Sequence, residues 1–242
     1  MGYFKAFPQI DYNFGDETYT TRFQNLSVYI DLLDRLKEDN SFYELYTILE
    51  GDRPDVLSHK LYGTSNFYWT FFFINDNLRE FGWPTTSSRL REYLINKYND
   101  TVITSRDPLY GEDIKVGNEI IGGTSGTIAT IKSKTLDLGQ ILVEGQHIFQ
   151  DGETIHLNDS DQTPLFTVHS YSEQYNSAIY YTKDDEQVDI DPYIGPGAEL
   201  REVTFLDYYA EKNEQNREIK ILKEDVAKQI FLAHQRELGT NG

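Results

Sequence analysis

Cysteine does not occur in these 242 residues, so a disulfide framework, a thiolate metal site and thiol catalysis are all excluded. Basic residues are scarce too. Lys and Arg number 22 against 40 Asp and Glu, a formal net charge of −18, and a phosphate backbone or an anionic bilayer needs the opposite balance. Neither nucleic acid nor a membrane surface is an expected partner, and the acid surplus reads first as a solubilising surface. Long apolar runs are missing: the longest, Phe71 to Ile74 with its aromatic neighbours, is far short of the roughly twenty residues that cross a bilayer. The start, Met1 to Pro8, carries no basic leader, and Ala6 stands where a myristoylation signal wants Ser or Thr. No Gly-x-Ser-x-Gly elbow is present, and Gly122-Gly123-Thr124-Ser125-Gly126 lacks the Lys-Ser/Thr that completes a phosphate cradle. That segment reads as a turn.

Rings are what the chain has in excess. Hydrophobic and charged shares of 38% and 26% are ordinary, but 18 Tyr and 14 Phe make a ring-rich protein. Tyr is favoured where one end of a side chain is dry and the other wet, at core edges and protein interfaces. The length suits one large or two small domains.

The N-terminal hundred residues read as helical. Tyr3 to Tyr12 is an extended apolar arm that should dock on something. Leu26, Tyr29, Ile30, Leu33 and Leu36 recur at helical steps, ending near Lys37 to Asn40. Phe42 to Leu49 is helix or strand. Pro54 after Asp52 opens a helix, with Asp55 in its first turn and Gly63 as its left-handed stop after Tyr62. Ser65 is the expected cap of the next helix, whose Phe67, Tyr68, Trp69, Phe71, Phe72, Phe73 and Ile74 make it apolar nearly all round. Such a helix is buried by neighbours, with other chains or domains completing the cover. Asn77 to Trp83 is expected to be a loop closed by Pro84, and Ser88 to cap a helix bearing Leu90, Tyr93, Leu94 and Tyr98.

From Asp107 to about Leu200 helical periodicity gives way to short β-branched runs between turn residues. Ile114–Val116, Glu119–Ile121, Gly126–Lys132, Gln140–Val143, Thr154–Leu157, Leu165–His169 and Ala178–Tyr181 predict a small antiparallel barrel or sandwich, with Thr124 to Thr127 as a hairpin turn. Helix then returns. Thr204 with Asp207 is a capping box, Ile219 and Ile221 alternate as a short strand, and Glu224 and Asp225 open a last helix with Val226, Ile230 and Ala233 on one face. The expected fold is α+β: a helical N-terminal module (1–106), an inserted antiparallel β domain (107–202) and a C-terminal helical segment (203–242) that completes the first module.

Groups with possible chemistry are thin. Asp184, Asp185, Glu186, Asp189 and Asp191 are ligand types for calcium, but without EF-hand order they read as a solvated turn. Asn158, Asp159 and Asp161 read the same way. The five histidines, His59, His147, His156, His169 and His234, lack both the i, i+4 spacing and the flanking Glu of a zinc hydrolase. The Phe67 to Phe73 block with Trp83 reads as core before it reads as a sugar or base platform. No metal, cofactor or catalytic set is expected.

One stretch runs Tyr46, Glu50-Gly51-Asp52-Arg53-Pro54-Asp55, Tyr62-Gly63, Tyr68-Trp69, Asn75, Trp83-Pro84 and Tyr93-Leu94-Ile95-Asn96-Lys97-Tyr98, and a second runs Asn213-Glu214, Arg217 and Ile219-Lys220-Ile221-Leu222. In this order they resemble the baseplate wedge protein of T-even-type contractile-tailed phages, the wedge-joining subunit, some of whose members are linked to a LysM-like fold. The resemblance implies a structural, non-enzymatic virion protein of the tail baseplate, assembled in the host cytoplasm. It would sit in several copies around a sixfold ring and join neighbouring wedges through contacts with other wedge subunits. The partner-binding residues expected are Arg53 and Asp55, which fix a turn between helices, Tyr62, Trp69 and Trp83, which pack, and Tyr3, Phe4 and Phe7 on the arm. The alternative is a tail-associated carbohydrate- or peptidoglycan-binding or cell-wall-degrading module in the β domain, using Glu119, Glu153 or Asp189.

Overall fold

The computed structural model describes residues 9–12, 21–24, 40–111 and 113–239. It contains helices and antiparallel sheets, an α+β protein, and its packing divides into two units: Met1–Thr85 with Asn213–Gly242, and Thr86–Lys212. The expected 26–36 helix and the arm through Pro8 lie outside the described residues.

In the first unit, β1 (Gln9–Tyr12) and β2 (Thr21–Gln24) form an antiparallel hairpin. A second ribbon pairs β3 (Tyr43–Thr47) with β14 (Glu218–Leu222) antiparallel, so the ambiguous Phe42 to Leu49 segment is strand. Against it lies α1 (Pro54–Tyr62), which begins on Pro54 and ends on Gly63 at φ +71°, as the sequence signals require. Then come a 3₁₀ turn (Ser65–Phe67), α2 (Trp69–Ile74) and α3 (Asp76–Phe81). Two expectations fail here. The cap is Thr64, whose side chain accepts from the Asn66 amide, one residue before the expected Ser65. Asn77 to Trp83 is not a loop: Asn75 in extended conformation, an acid at Asp76 and Gly82 at φ +84° bracket a short helix that its lack of apolar period conceals. The last helix, α6 (Glu224–Gly239), buries Ala227 and Ile230, with Val226 partly covered; the side chain of Ala233 is outside those described. One core gathers Ile48, Leu57, Tyr62, Phe67, Trp69, Phe71, Ile74 and Leu78 from the early segment and Ile219, Ile221, Leu222, Ala227 and Ile230 from the late one.

The edge of β14 away from β3 is closed by side chains. Asn75 donates to the Lys220 carbonyl and accepts from the Lys220 amide, both at 2.8 Å, while a further N–H bond to Phe71 O, also 2.8 Å, fixes the amide in place. The Tyr62 hydroxyl donates to the next outward carbonyl, that of Leu222, at 2.9 Å. Asn75→Ala strands both Lys220 groups. At roughly 1–3 kcal/mol for each part-buried group left unpaired, a loss of about 2–4 kcal/mol is expected in denaturant melts.

The second unit opens with α4 (Ser87–Lys97), capped by Thr86 accepting from the Arg89 amide, not by the expected Ser88. Seven strands follow in one antiparallel sheet, in spatial order β10-β4-β7-β6-β5-β8-β9: β4 (Thr101–Thr104), β5 (Glu119–Gly122), β6 (Ile128–Thr135), β7 (Gln140–Val143), β8 (Thr154–Leu157), β9 (Pro164–Thr167) and β10 (Ser170–Glu173). The two edge strands, β9 and β10, are consecutive and separated by two residues. Laid flat they would stand roughly 29 Å apart at 4.8 Å per strand, but three Cα steps reach about 11 Å. The sheet is therefore curled until its edges meet, around Ile103, Ile120, Ile131, Ile141, Val143, Ile155 and Phe166. Ile114 is buried in that core from a loop; the expected Ile114–Val116 strand does not form.

A separate three-stranded sheet, in order β12-β11-β13, joins β11 (Ala178–Lys183), β12 (Glu186–Val188) and β13 (Arg201–Thr204). The acidic Asp184-Asp185 pair, both at positive φ, is the two-residue turn of its hairpin. Helix α5 (Phe205–Gln215) follows. Its Thr204–Asp207 capping box forms reciprocally, each amide donating to the other's side-chain oxygen at 3.1 Å.

Candidate functional site

The Glu50–Asp55 turn is held by its own residues. Gly51 at φ +88° reverses the chain, and the Leu49 amide donates to the Asp52 carboxylate at 3.3 Å. The Arg53 guanidinium reaches Asp55 with two hydrogen bonds, Nε at 3.2 Å and Nη2 at 3.0 Å. Arg53 is largely exposed, so this bidentate pair orders the turn more than it stabilises the fold. Trp83 ties the turn from behind: its indole N–H donates to the Asp52 carbonyl at 2.7 Å, and its ring lies 5.7 Å from Phe71 and 5.8 Å from Phe72.

The predicted partner-binding residues thus fall into three groups. Arg53 and Asp55 are together on the surface. Tyr62, Trp69 and Trp83 share the core of the first unit, with Tyr62 stacked 6.0 Å from Phe71 and Trp69 edge-on to Phe73 at 5.5 Å. Burial pushes the Tyr62 hydroxyl up to about 12, against the lowering effect of its bonds to Thr70 and Leu222. Tyr3, Phe4 and Phe7 lie outside the described residues. The expectation that other chains complete the cover of the ring block meets a fact: Phe71 is 0% and Trp69 8% exposed within this chain alone.

The apolar surface actually open on this unit is aliphatic as much as aromatic. Leu49 and Val56 flank the turn at 58% and 54% exposure, and Leu45, Tyr68 and Phe81 are also exposed. The sequence does not mark Leu49 and Val56 as open, because each stands beside a second aliphatic, Ile48 and Leu57, and only the structure shows that those two are the buried members of each pair. Asn75 and Asn213 stand in the motif blocks, but their role is visible only in the structure. Asn213 accepts from the Thr85 amide at 2.8 Å and donates to the Thr85 carbonyl at 3.1 Å, the same two-way grip that Asn75 has on Lys220. Arg217 pairs with Glu214 at 2.9 Å and reaches the Ile48 carbonyl at 3.4 Å. The two motif blocks therefore meet, and their polar members stitch the late segment to the early one.

The acids weighed for the alternative are placed differently. Glu153 is 4% exposed and accepts four hydrogen bonds, from the Thr124, Ser125 and Gln150 amides and the Ser125 hydroxyl. Its burial favours the neutral form, but the four donors outweigh this and hold the carboxyl below its ordinary value. Glu119 accepts from the Asn158 side chain at 3.1 Å. Asp189 lies on a groove of the second unit. Among the described residues no group of three or more His, Asp or Glu is placed to hold a metal ion, and no helix is long and apolar enough to cross a membrane.

Residues 6–107 match the family model described as base plate wedge protein 53. No curated protein matches the chain. The matched segment contains the Glu50–Asp55 turn, α1 to α3 and the first of the two motif blocks, while the second block, Asn213 to Leu222, lies outside it. Over those residues, somewhat less than half of the chain, the protein is similar to the phage base plate wedge protein 53 family.

Proposed function

We propose that the protein joins neighbouring wedges of a contractile tail baseplate into a sixfold ring, in several copies, after assembly of the wedges in the host cytoplasm. The family match across residues 6–107 supports this reading. In it, segments 1–106 and 203–242 form the joining module and 107–202 an inserted β domain. The module presents Arg53, Asp55, Leu49 and Val56 to neighbouring wedge subunits, the arm residues Tyr3, Phe4 and Phe7 insert into a partner, and Tyr62, Trp69 and Trp83 act by holding the turn rigid from beneath. A rigid turn with exposed aliphatics on both sides binds at low ordering cost. Catalysis has no part in this reading; of the three acids offered for the cell-wall alternative, Glu153 has its carboxylate engaged in four hydrogen bonds.

The test is the double variant Leu49→Asp/Val56→Asp. Both side chains are exposed, so the purified variant is expected to melt like the wild type. Loss of central apolar contacts at an interface costs about 2 kcal/mol or more per anchor, so wedges should form and fail to close into discs. Normal discs by electron microscopy would refute the assignment of this face.

A further inference from the structure

A groove of about 430 Å³ lies in the second unit between the turn after β6 and the β11–β12 hairpin. Asp137 and Asp189 line it with Tyr110, Tyr180 and Gln187, and among the described residues no Lys, Arg or His does. Neither carboxylate makes a hydrogen bond or ion pair with another described residue. Some acids elsewhere have basic partners, Asp100 with Lys132 at 2.7 Å, Asp55 with Arg53 and Glu214 with Arg217, but Asp137 and Asp189 belong to the larger number that have none among the described residues. Here two unpaired acids face a recess flanked by aromatic rings in a protein already carrying −18.

We propose that this groove is the docking site for an arginine-bearing segment of a neighbouring protein. Charge complementarity selects the occupant. An anionic ligand is repelled by the two carboxylates and by the surrounding field. A neutral saccharide would cover both acids without compensating them, which is costly. A hard cation wants six to eight oxygen ligands, more than two carboxylates on separate segments supply. A guanidinium answers each feature: its planar fork matches a carboxylate, and its face stacks on Tyr. The chain shows the same chemistry internally, where the Lys97 ammonium sits 5.4, 5.2 and 5.3 Å from the rings of Tyr93, Tyr98 and Tyr209. The proposal rests on the baseplate reading only for the identity of the neighbour.

The test is a titration of the full chain with a tetra-arginine peptide at fixed salt, followed by calorimetry and by amide NMR. The wild type should bind, with the signals of Asp137, Tyr180 and Asp189 moving first. Asp137→Asn/Asp189→Asn should weaken binding about tenfold, two ion pairs near the upper end of the exposed range. Asp159→Asn/Asp161→Asn removes the same charge elsewhere and should leave binding within about twofold of the wild type, as charges outside the contact are largely screened at this salt. Equal weakening by both pairs, shifts spread over the surface, no binding at millimolar peptide, or preferential binding of an N-acetylglucosamine tetramer at these residues would each overturn the proposal. The NMR mapping needs no variant, so it decides even where a substitution perturbs folding. Disc assembly by Leu49→Asp/Val56→Asp is read separately, so failure of the wedge-joining reading and failure of this one are distinguishable.

Discussion

Trp69→Ala is expected to lower the stability of the protein by about 3–5 kcal/mol, the range for emptying a large aromatic from a packed core. The indole is 8% exposed and edge-on to Phe73 at 5.5 Å, inside the same core as Phe71, which is fully buried. That core is closed by residues from both ends of the chain, Ile48 and Leu57 on one side and Ile219, Ile221 and Ala227 on the other, so a cavity at position 69 loosens the docking of the C-terminal segment as well. Urea melts should show a lower midpoint at an unchanged slope. Failure of this variant to build discs would then report unfolding, whereas Leu49→Asp/Val56→Asp, stable but unable to join, reports the interface. A Trp69→Ala protein that melts like the wild type would show that the ring is not part of the core.

Glu153→Ala is expected to cost about 3 kcal/mol or more, because it strands three backbone N–H groups and a hydroxyl at roughly 1–3 kcal/mol for each buried donor left unpaired. The carboxylate gathers the Thr124 and Ser125 amides of the β5–β6 hairpin and the Gln150 amide of the turn before β8. It also explains Gly122, where an added Cβ would stand 2.7 Å from the Glu153 carboxylate oxygen. The pH dependence follows from the direction of its pKa. The folded value lies below the ordinary 4.5, so the carboxylate contributes fully above pH 4.5 and the contribution fades as pH falls through the folded value. Melting temperature measured from neutral to strongly acidic pH should therefore fall off below pH 4.5, and Glu153→Gln, which cannot titrate, should lower the neutral plateau and flatten that fall. A variant with the wild-type acid profile would assign the titration elsewhere.

Elements whose ends are fixed by local stereochemistry were legible in the sequence. Pro54 and Gly63 bound α1, Thr204 with Asp207 starts α5, and β7 and β8 span the residues their alternation predicts. What was illegible depends on partners distant in sequence. Thr101–Thr104 falls within the segment 1–106 that the sequence assigns to the helical module, yet it is a strand paired on both sides, with β7 and with β10. The Asp76–Phe81 helix carries one fully buried residue, Leu78, and so has no period to read. In the candidate site the rings were the visible signal, but a ring run announces burial without saying against what. Here much of that burial is within the chain, and the apolar residues left open include Leu49 and Val56, beside the Arg53–Asp55 turn that the motif did mark. Asn75 and Asn213 were seen as family residues, while their grip on backbone some 145 and 128 positions away is knowable only once the two ends meet.

The claim that this protein holds neighbouring wedges together is tested most directly by electron cryomicroscopy of the assembled baseplate. The account predicts that Leu49, Arg53 and Val56 are covered by residues of an adjacent wedge in every copy around the ring. A map in which this turn faces solvent, or in which each copy touches a single wedge only, would contradict it.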